Sequence, residues 1–426
     1  MSNNISIYGQ MKMFGRKIKW DSIHYAGMVR LHKRTGKLME KIQKRHSMNL
    51  KIKVIFLMQY PEMWNSEKSV YESMVQDDRF ETEIITIPKQ AGVNYSENRF
   101  MDVNEASQYC DVCGIGYREA FSGGEWIDLK NLSPDFIFIQ RPYDECMPAE
   151  MSLKKISKIG ILCYIPYGYD FNDIHFPIEY NINFFNNVGV FFADSTDSFK
   201  FVNGKYRFDS LFGSRKCFNV GYPRFDLIIP MENDINIRKN VLWIPRWSVD
   251  DANDRSYFFD YLDILVEYFE SHIEMNLIIR PHPLMFKNFI EKGVMTNTQI
   301  NELQTRIKRI PNIWFDTNTD YLDSFEQSDL MISDFSSLMI EYFVSLKPII
   351  FCGENIDRYT QIGKMMMDGV YKAKNASELI CNLDMISRGR NIYFDRNKEM
   401  LNSIYDTNKP IGLAIKNCIL QLVEKK

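Results

Sequence analysis

The chain has 426 residues, of which 45% are hydrophobic and 25% are charged, so it is a globular protein long enough for two domains. No run approaches the roughly 18 apolar residues of a membrane span, and the N-terminus MSNNISIYGQ lacks the basic start and apolar core of a signal peptide. Eight scattered cysteines do not make a disulfide framework, which favours a reducing, cytoplasmic setting.

The N-terminal segment is strongly basic. Residues 1–53 hold 13 Lys and Arg against two acids, a local net charge of +11 in a chain whose overall charge is -3. Apolar residues recur among the lysines, which predicts a basic helical extension over residues 1–50. Such a helix can lie on an anionic membrane surface, peripheral to the inner face of the cell membrane. It can equally pack on the first domain with its charges in solvent.

From residue 51 the pattern of an α/β domain begins, and it continues to about residue 230. Short runs rich in Ile, Val and Phe alternate with helical patterns, as a parallel sheet covered on both faces requires. A helix is predicted at SEKSVYESMVQDD and a helical piece near VNEASQYCDV. The predicted strands are KIKVIFLMQY, FETEIITIP, PDFIFIQ, IGILCYIPYG, VGVFFADS and KCFNVGYP.

The turn-rich stretch PMENDINIRKN indicates a linker, after which the alternation restarts. A second α/β domain is predicted over residues 238–400, followed by a C-terminal helix over residues 401–426. Its strands are NVLWIPRW, NLIIRPHP, NIWFDT, LMISDFS and KPIIFC. Two such domains facing each other form a central cleft, and ligands of open α/β sheets lie beyond the carboxyl ends of the strands. Chemically useful residues are therefore expected directly after the strand runs.

One such place is the segment from Ser333 to Ser337, which follows a strand and opens a helix. Backbone N–H groups at a helix N-terminus favour a phosphate, and the Ser336 and Ser337 hydroxyls can add hydrogen bonds. Asp334 is expected to cap the helix, to order the loop or to accept a hydroxyl proton. The alternative is a plain N-cap, because Ser and Asp are the commonest capping residues.

Three further strand ends carry arginine. Arg280 and His282 follow the run NLII within Arg-Pro-His-Pro, so the guanidinium and the imidazole are both expected to contact a departing phosphate. Arg246 follows the first strand of the second domain in IPRW, which points to donor binding. Arg224, in GYPRFD, is a further donor-binding candidate, or it pairs with Asp226 to fix the interdomain crossing.

Four segments occur in order: GYPRFD, IPRW followed by two aspartates, LIIRPHP, and DLMISDFSSLMIEYFVSLKPIIF. Together they resemble the CDP-glycerol glycerophosphotransferase family, which builds teichoic acids and related polymers. Members typically carry Gly-x-Pro-Arg-Asn-Asp, Arg-Pro-His and Asp-Tyr-Ser-Ser segments. The resemblance covers roughly residues 50–400 and is densest from residue 216 onward. It implies a GT-B fold with two Rossmann-like domains, the first for the acceptor and the second for the nucleotide donor.

The chain departs from the family pattern at several positions. Phe225 replaces the Asn of the first segment, and Phe335 replaces the Tyr of the last. The first domain of the family usually has a Trp-His-Gly-Thr segment whose His is thought to be the catalytic base. The corresponding strand end here, YIPYGYD, has no His, so His175 and Asp170 are the nearest candidates for the base. This Tyr-rich end could equally be an acceptor-binding surface.

The resemblance implies a transferase that moves glycerol phosphate, or a related polyol phosphate, from a CDP-linked donor and releases CMP. The acceptor would be a hydroxyl of a lipid-linked, cell-envelope or capsular glycan, and no nucleic acid is expected as a partner. Glu341 is expected to accept a hydrogen bond from a ribose hydroxyl. No metal site is visible, so no cofactor is required, although Mg²⁺ stays open. The alternatives are a nucleotide-sugar GT-B glycosyltransferase of polysaccharide biosynthesis and a non-catalytic nucleotide-binding envelope protein.

Overall fold

A computed structural model describes residues 7–90, 100–169, 171, 176, 180–235, 237–250, 255–318, 320–353, 359–389 and 391–424, with side chains from residue 22 onward except at 210 and 211. The chain divides into two compact units. Unit 1 comprises Met1–Tyr167, Ile174–Pro223 and Pro410–Lys426, and unit 2 comprises Gly168–Asp173 and Arg224–Lys409. Of the described helices, none is long and apolar enough to cross a membrane.

The described α-helices are, in chain order, α1 (Ile7–His46), α2 (Lys68–Val75), α3 (Glu105–Cys113), α4 (Leu153–Ile156), α5 (Ile182–Phe185), α6 (Thr196–Lys205), α7 (Arg207–Phe212), α8 (Phe258–Ser271), α9 (Met285–Glu291), α10 (Asn297–Lys308), α11 (Leu322–Gln327), α12 (Leu338–Val344), α13 (Gln361–Met367), α14 (Ala376–Arg388), α15 (Phe394–Ile404) and α16 (Ile411–Glu424).

The described strands are β1 (Ile52–Met58), β2 (Phe80–Thr86), β3 (Arg118–Glu119), β4 (Phe121–Ser122), β5 (Glu125–Trp126), β6 (Phe136–Ile139), β7 (Ile161–Tyr164), β8 (Val188–Ala193), β9 (Lys216–Asn219), β10 (Asn240–Ile244), β11 (Asn276–Ile279), β12 (Ile313–Phe315), β13 (Leu330–Ser333), β14 (Ile349–Phe351) and β15 (Tyr371–Lys372). Each strand predicted in the two α/β domains is present. The central strands β6, β7, β8 and β13 are buried throughout, whereas the edge strand β9 has no buried residue.

The sheet of unit 1 has the order β3-β2-β1-β6-β7-β8-β9, with every neighbouring pair parallel. Every residue of β6, β7 and β8 is buried, as expected for central strands covered on both faces. The chain starts in the middle of this sheet, runs to one edge and then returns to build the other half. The order therefore reverses between β1 and β6, which is where doubly wound sheets bind their ligands.

Helix α1 packs on unit 1 through one face. Met28, Leu31 and Ile42 are buried there, and Arg45 Nη1 lies 2.7 Å from Asp135 Oδ1. His24 Nε2 lies 3.0 Å from Asp209 Oδ2. Between residues 24 and 46, packing on the first domain is thus what the structure shows. The opposite face carries a row of exposed basic side chains, here called the basic stripe: Arg30, Lys33, Lys37, Lys41 and Lys44.

Unit 2 repeats the architecture with the strand order β12-β11-β10-β13-β14-β15, again with all neighbours parallel. Its core includes residues of β10, β11 and β13 packed with α8, α10 and α14. Here the order reverses between β10 and β13. The side chains that follow these two strands therefore lie at the ligand-binding edge of unit 2.

The stretch expected to form the linker, residues 230–240, belongs to unit 2. Arg238 within it is only 1% exposed, and its guanidinium bonds the Asp234 carboxylate and the carbonyls of Ile386 and Gly389. The chain instead passes from one unit to the other after Tyr167, Asp173, Pro223 and Lys409. Helix α16, near the C-terminus, packs against α1 and α2 of unit 1.

Candidate functional site

The carboxyl edge of the unit 2 sheet brings three predicted segments together. β10, β11 and β13 are neighbours in the sheet, and they are followed by Arg246, by Arg280 with His282, and by Asp334. Arg246 and Asp334 follow the two strands between which the order reverses. The residues were chosen from the sequence because they follow apolar runs, and the parallel sheet places them at one edge.

Asp334 is buried and orders the loop after β10. Its Oδ1 accepts a hydrogen bond from the Arg246 backbone N–H at 2.6 Å, and its Oδ2 accepts one from the Tyr257 N–H at 3.1 Å. Burial raises the pKa of Asp334 to about 7, against the opposing effect of these two N–H donors and of the Arg246 cation. Of the three roles expected for Asp334, the observed contacts match the ordering of the loop.

Arg246 is half-buried beside this carboxylate. Its guanidinium carbon lies 4.7 Å from the centroid of the Phe335 ring, and Nη1 lies 3.5 Å from the Phe335 carbonyl oxygen. Within the described part of the chain, the buried Nε has no hydrogen-bond partner. The aromatic ring fixes the guanidinium while leaving donor capacity for an anion. Phe335, one of the departures from the family pattern, thus supports Arg246.

His282 reaches the surface of unit 2 beside Trp247, with ring centroids 6.0 Å apart. Its Nδ1 lies 3.1 Å from the Leu284 backbone nitrogen, and an acceptor role for Nδ1 toward that N–H places the ring proton on Nε2. Partial burial, and then the Arg246 cation, lower the pKa of His282 to about 4. At neutral pH the ring is therefore neutral, and its Nε2–H can donate to a phosphate oxygen.

Arg280 is held by protein groups on the loop after β12. Its guanidinium bonds the Asp316 carboxylate, and Nη2 donates to the Asn318 carbonyl at 2.7 Å. Burial opposes ionisation of Asp316, but hydrogen bonds from Ser324 and Asn318 and the Arg280 cation prevail and lower the pKa of Asp316. Contact between Arg280 and a phosphate therefore remains a proposal, and this side chain also anchors the 316–320 loop.

The two serines before α12 differ in their contacts. Ser336 is half-buried, and its Oγ accepts a hydrogen bond from the Leu338 N–H at 3.2 Å. Ser337 is exposed and precedes the first helical residue, but its side chain makes no capping hydrogen bond. Ser336 therefore closes the turn that leads into α12. The Ser337 hydroxyl is accessible to a ligand.

Arg224 and Glu341 form a buried network with Tyr321. Arg224 Nη1 lies 3.3 Å from Glu341 Oε1 and 3.0 Å from the Tyr321 hydroxyl, which also donates to Glu341. Burial, the largest effect, raises the pKa of Tyr321 well above its usual value. Asp226, considered as a partner for Arg224, accepts a hydrogen bond from the Tyr405 hydroxyl at 3.1 Å. These contacts bind α12 to the segment before α11 and to the start of unit 2.

The two candidate bases, His175 and Asp170, lie outside the described residues. Sequence reasoning missed Asp316, Tyr321, Trp247 and the Tyr257 backbone. Asp316 and Trp247 each closely follow a predicted strand, NIWFDT and NVLWIPRW, so the strand-end rule that selected Arg246 could have found both. Tyr321 carries no comparable signal, because it lies at the start of a helix and meets Glu341 only through packing.

The arrangement can bind a phosphate. Arg246 supplies a cation, His282 a neutral N–H donor and Ser337 a free-standing hydroxyl, all beside the point where the strand order reverses. Within the described residues, no three His, Cys, Asp or Glu side chains come close enough together to hold a metal ion.

The family described as CDP-glycerol:poly(glycerophosphate) glycerophosphotransferase matches residues 195–393. A teichoic acid glycerol-phosphate transferase of Staphylococcus aureus (strain NCTC 8325 / PS 47) is 26% identical to the chain, over 42% of this chain and 48% of that protein. The matched part thus spans about half the length of this curated relative. The segment matched by this family, residues 195–393, contains most of unit 2 and every described candidate residue.

Solved structures confirm the predicted GT-B fold. A variant of the wall teichoic acid polymerase TagF soaked with CDPG has a TM-score of 0.53 at 14% identity, covering 94% of this chain and 98% of that chain. A UDP-N-acetylglucosamine 2-epimerase from Listeria monocytogenes has a TM-score of 0.55 at 12% identity, covering 88% and 98%. Identities this low establish a shared fold and no shared activity.

Proposed function

We propose that the protein transfers glycerol phosphate, or a related polyol phosphate, from a CDP-linked donor to a hydroxyl of a cell-envelope or capsular glycan, releasing CMP. The observation that carries the proposal is the convergence of Arg246 and neutral His282 at the carboxyl edge of unit 2, within the glycerophosphotransferase segment. Support comes from the S. aureus teichoic acid glycerol-phosphate transferase and from TagF, a variant of which was soaked with CDPG.

The reaction would be a displacement at phosphorus. The acceptor oxygen bonds to the phosphorus that carries glycerol, the bond from that phosphorus to the bridging oxygen breaks, and CMP leaves with both electrons of that bond. Negative charge grows on the departing phosphate. Oriented donors stabilise such charge best when they need no rearrangement during the step. We assign this task to His282 Nε2–H and the Arg246 guanidinium, with Arg280 and Ser337 as further donors.

The acceptor hydroxyl must lose its proton as it attacks. We keep His175 and Asp170 as the two candidate bases, because a well-placed base typically contributes ~10²–10⁴-fold to the rate. His175 needs no change in its ordinary pKa to act near neutral pH, whereas Asp170 would need burial. Rate against pH for His175→Gln and Asp170→Asn separates them, because loss of the true base flattens the acidic limb. Retention of that limb and of most of the rate in both variants would exclude both residues.

The proposed chemistry requires no metal. Removal of divalent ions tests whether Mg²⁺ also binds the donor phosphates. We expect CMP release to persist after dialysis against EDTA. Loss of activity on dialysis and its recovery with Mg²⁺ would instead place a cation at the donor phosphates, and the charge assigned to Arg246 would then be shared with it.

The decisive experiment is a donor panel. CMP release is measured with CDP-glycerol, CDP-ribitol and UDP-N-acetylglucosamine in the presence of a teichoic-acid-type acceptor. We expect CMP from a CDP-polyol and no turnover of the UDP-sugar. Turnover of the UDP-sugar alone would favour a glycosyltransferase, and CDP binding without turnover of any donor would favour a non-catalytic protein.

Variants connect the activity to the site. His282→Ala should lower kcat more than donor affinity, because contacts to the leaving phosphate strengthen in the transition state. Arg246→Gln should lower both, and the exposed Arg306→Gln, whose partner is Asp263, is the matched control. A folded His282→Ala protein with near-normal kcat would exclude the assigned role. Arg280→Ala is harder to interpret, since it also removes the contacts of Arg280 with Asp316 and with the Asn318 carbonyl.

We further propose that the protein works at an anionic membrane surface, with the basic stripe of α1 facing the lipid. The stripe is exposed on the side of α1 opposite the buried Met28 and Leu31, so lipid contact would not require α1 to leave unit 1. Basic residues near an anionic surface contribute about 1 kcal/mol each, and salt screens the attraction.

A further inference from the structure

Unit 1 has its own ligand-binding edge, which the donor site does not use. β1 and β6 are the strands between which the order of its sheet reverses. Tyr60 follows β1, and Arg141 follows β6 in the sequence FIFIQRPY. Unit 2 places Arg246 and Asp334 at the equivalent points of its own sheet. Arg141 thus occupies in unit 1 the kind of position at which open α/β sheets bind ligands.

The Arg141 guanidinium is held between two aromatic rings. Its central carbon lies 4.6 Å from the centroid of the Tyr60 ring and 4.9 Å from that of Tyr143. The buried Gln140 fixes this arrangement, because its Oε1 accepts hydrogen bonds from the N–H groups of Gln59 and Tyr60, each at 2.8 Å. The guanidinium is therefore oriented in advance, and little conformational entropy is lost when a ligand binds.

The charge of Arg141 is not balanced by the described part of the chain. The neighbouring cation, Lys89, lies 2.7 Å from Glu105 and 3.1 Å from Glu62, so its charge is compensated. Among the described residues no ion pair involves Arg141. Its side chain hydrogen-bonds Tyr60, which carries no charge at neutral pH, and its buried Nε has no hydrogen-bond partner in the described part of the chain. A half-buried, pre-oriented guanidinium without a counter-ion favours an anion with several oxygens.

We propose that Arg141 is the centre of an anion subsite in unit 1 that binds a phosphate group of the acceptor. This inference rests on the proposed function, since a poly(glycerophosphate) chain consists of phosphodiesters and a lipid-linked acceptor would carry a phosphate at its link. The fork of Arg141 would engage two phosphate oxygens. Tyr60 and Tyr143 hold that fork in place, and their rings can also contact the polyol carbons on either side of the phosphate.

Binding of small phosphates to the full chain tests the subsite without requiring turnover. The probes are the phosphodiester bis(glycerol)phosphate, the lipid-type monoester farnesyl phosphate and neutral glycerol, each titrated by calorimetry or ligand-detected NMR. We expect a phosphate probe to bind and glycerol not to bind. Preference for the diester indicates recognition of the polymer chain, and preference for the prenyl ester indicates recognition of the lipid link. Failure of both phosphates to bind would overturn the subsite.

Variants show whether Arg141 is responsible. Arg141→Gln should weaken phosphate binding by about tenfold or more, because a charge-assisted pair of hydrogen bonds is lost, and Arg141→Lys should weaken it less. The control is Arg207→Gln, since Arg207 is also in unit 1 and stacks on an aromatic ring, Phe208, at 4.9 Å. Equal phosphate affinity of Arg141→Gln and wild type, with unchanged circular dichroism, would overturn the proposal.

The proposed function and the proposed phosphate subsite can be refuted independently of each other. Absence of CMP release by wild-type protein from every CDP-polyol would contradict the proposed function, whatever the phosphate affinity. Phosphate binding independent of Arg141 would contradict the subsite, even in an active enzyme. In an active enzyme, Arg141→Gln should raise the KM for the acceptor at least about tenfold and leave the KM for CDP-glycerol unchanged.

Discussion

Replacing Glu341 distinguishes a role in the fold of unit 2 from a role in donor binding. The residue is 0% exposed, and its carboxylate bonds Arg224 and the Tyr321 hydroxyl. In Glu341→Leu the Arg224 cation would stay buried without this partner. Removal of one partner of a buried ion pair costs about 3–5 kcal/mol, whereas replacement of both partners by apolar groups can be nearly neutral.

The assay is urea unfolding of the full chain, compared with and without CDP. For a unit of this size the free energy of unfolding falls by about 2–3 kcal/mol per molar urea, so Glu341→Leu should lower the midpoint of unit 2 by about 1–2 M. The double variant Arg224→Met with Glu341→Leu should recover most of that loss. An unchanged midpoint in Glu341→Leu, together with lost CDP affinity, would refute the structural role and support the ribose contact.

Three further predictions concern charge. Asp334 must be ionised to accept both N–H groups as it does, so the affinity for CDP should fall as pH drops below about 7. Asp334→Asn should bind CDP more weakly, and its affinity should show no such step between pH 6 and 8. An unaltered step in the variant would exclude Asp334 as the group that titrates. Burial raises the pKa of Glu67 to about 8, so the folded state loses stability as pH rises from about 4.5 towards 8. Glu67→Gln should remove that loss, on the order of 5 kcal/mol, whereas identical slopes of stability against pH would contradict it. Glutamine at Lys33, Lys37 and Lys41 should weaken co-sedimentation with anionic vesicles at low salt; equal binding would show that the basic stripe does not contact lipid.

The elements of both units could be predicted from the sequence because their signals are local. Runs such as NVLWI and NLII are short, contain β-branched residues and have a proline within two residues of their ends, and each forms a largely buried parallel strand. The strand-end rule then placed Arg246, Arg280 and Asp334 at one edge of one sheet. The two-residue strands β3, β4, β5 and β15 gave no such signal, since so short a segment has no periodicity.

The partners of the site residues could not be predicted, because they depend on packing between distant segments. Glu341 meets Tyr321 only because α12 packs beside the start of α11, and Arg280 meets Asp316 because β11 and β12 are neighbours. The sequence also left open whether α1 lies on a membrane surface or packs on the first domain. Only the burial of Met28, Leu31 and Ile42 shows which face of α1 packs on unit 1.

We propose above all that unit 2 binds a CDP-linked polyol and stabilises the departure of CMP. The most direct measurement is ³¹P NMR of CDP-glycerol incubated with acceptor and either wild-type protein or His282→Ala. We expect wild type to convert the diphosphate signals into those of CMP and of a new phosphodiester, and His282→Ala to do so far more slowly while still binding CDP. Persistence of the diphosphate signals with wild type, or equal rates for both proteins, would contradict this proposal.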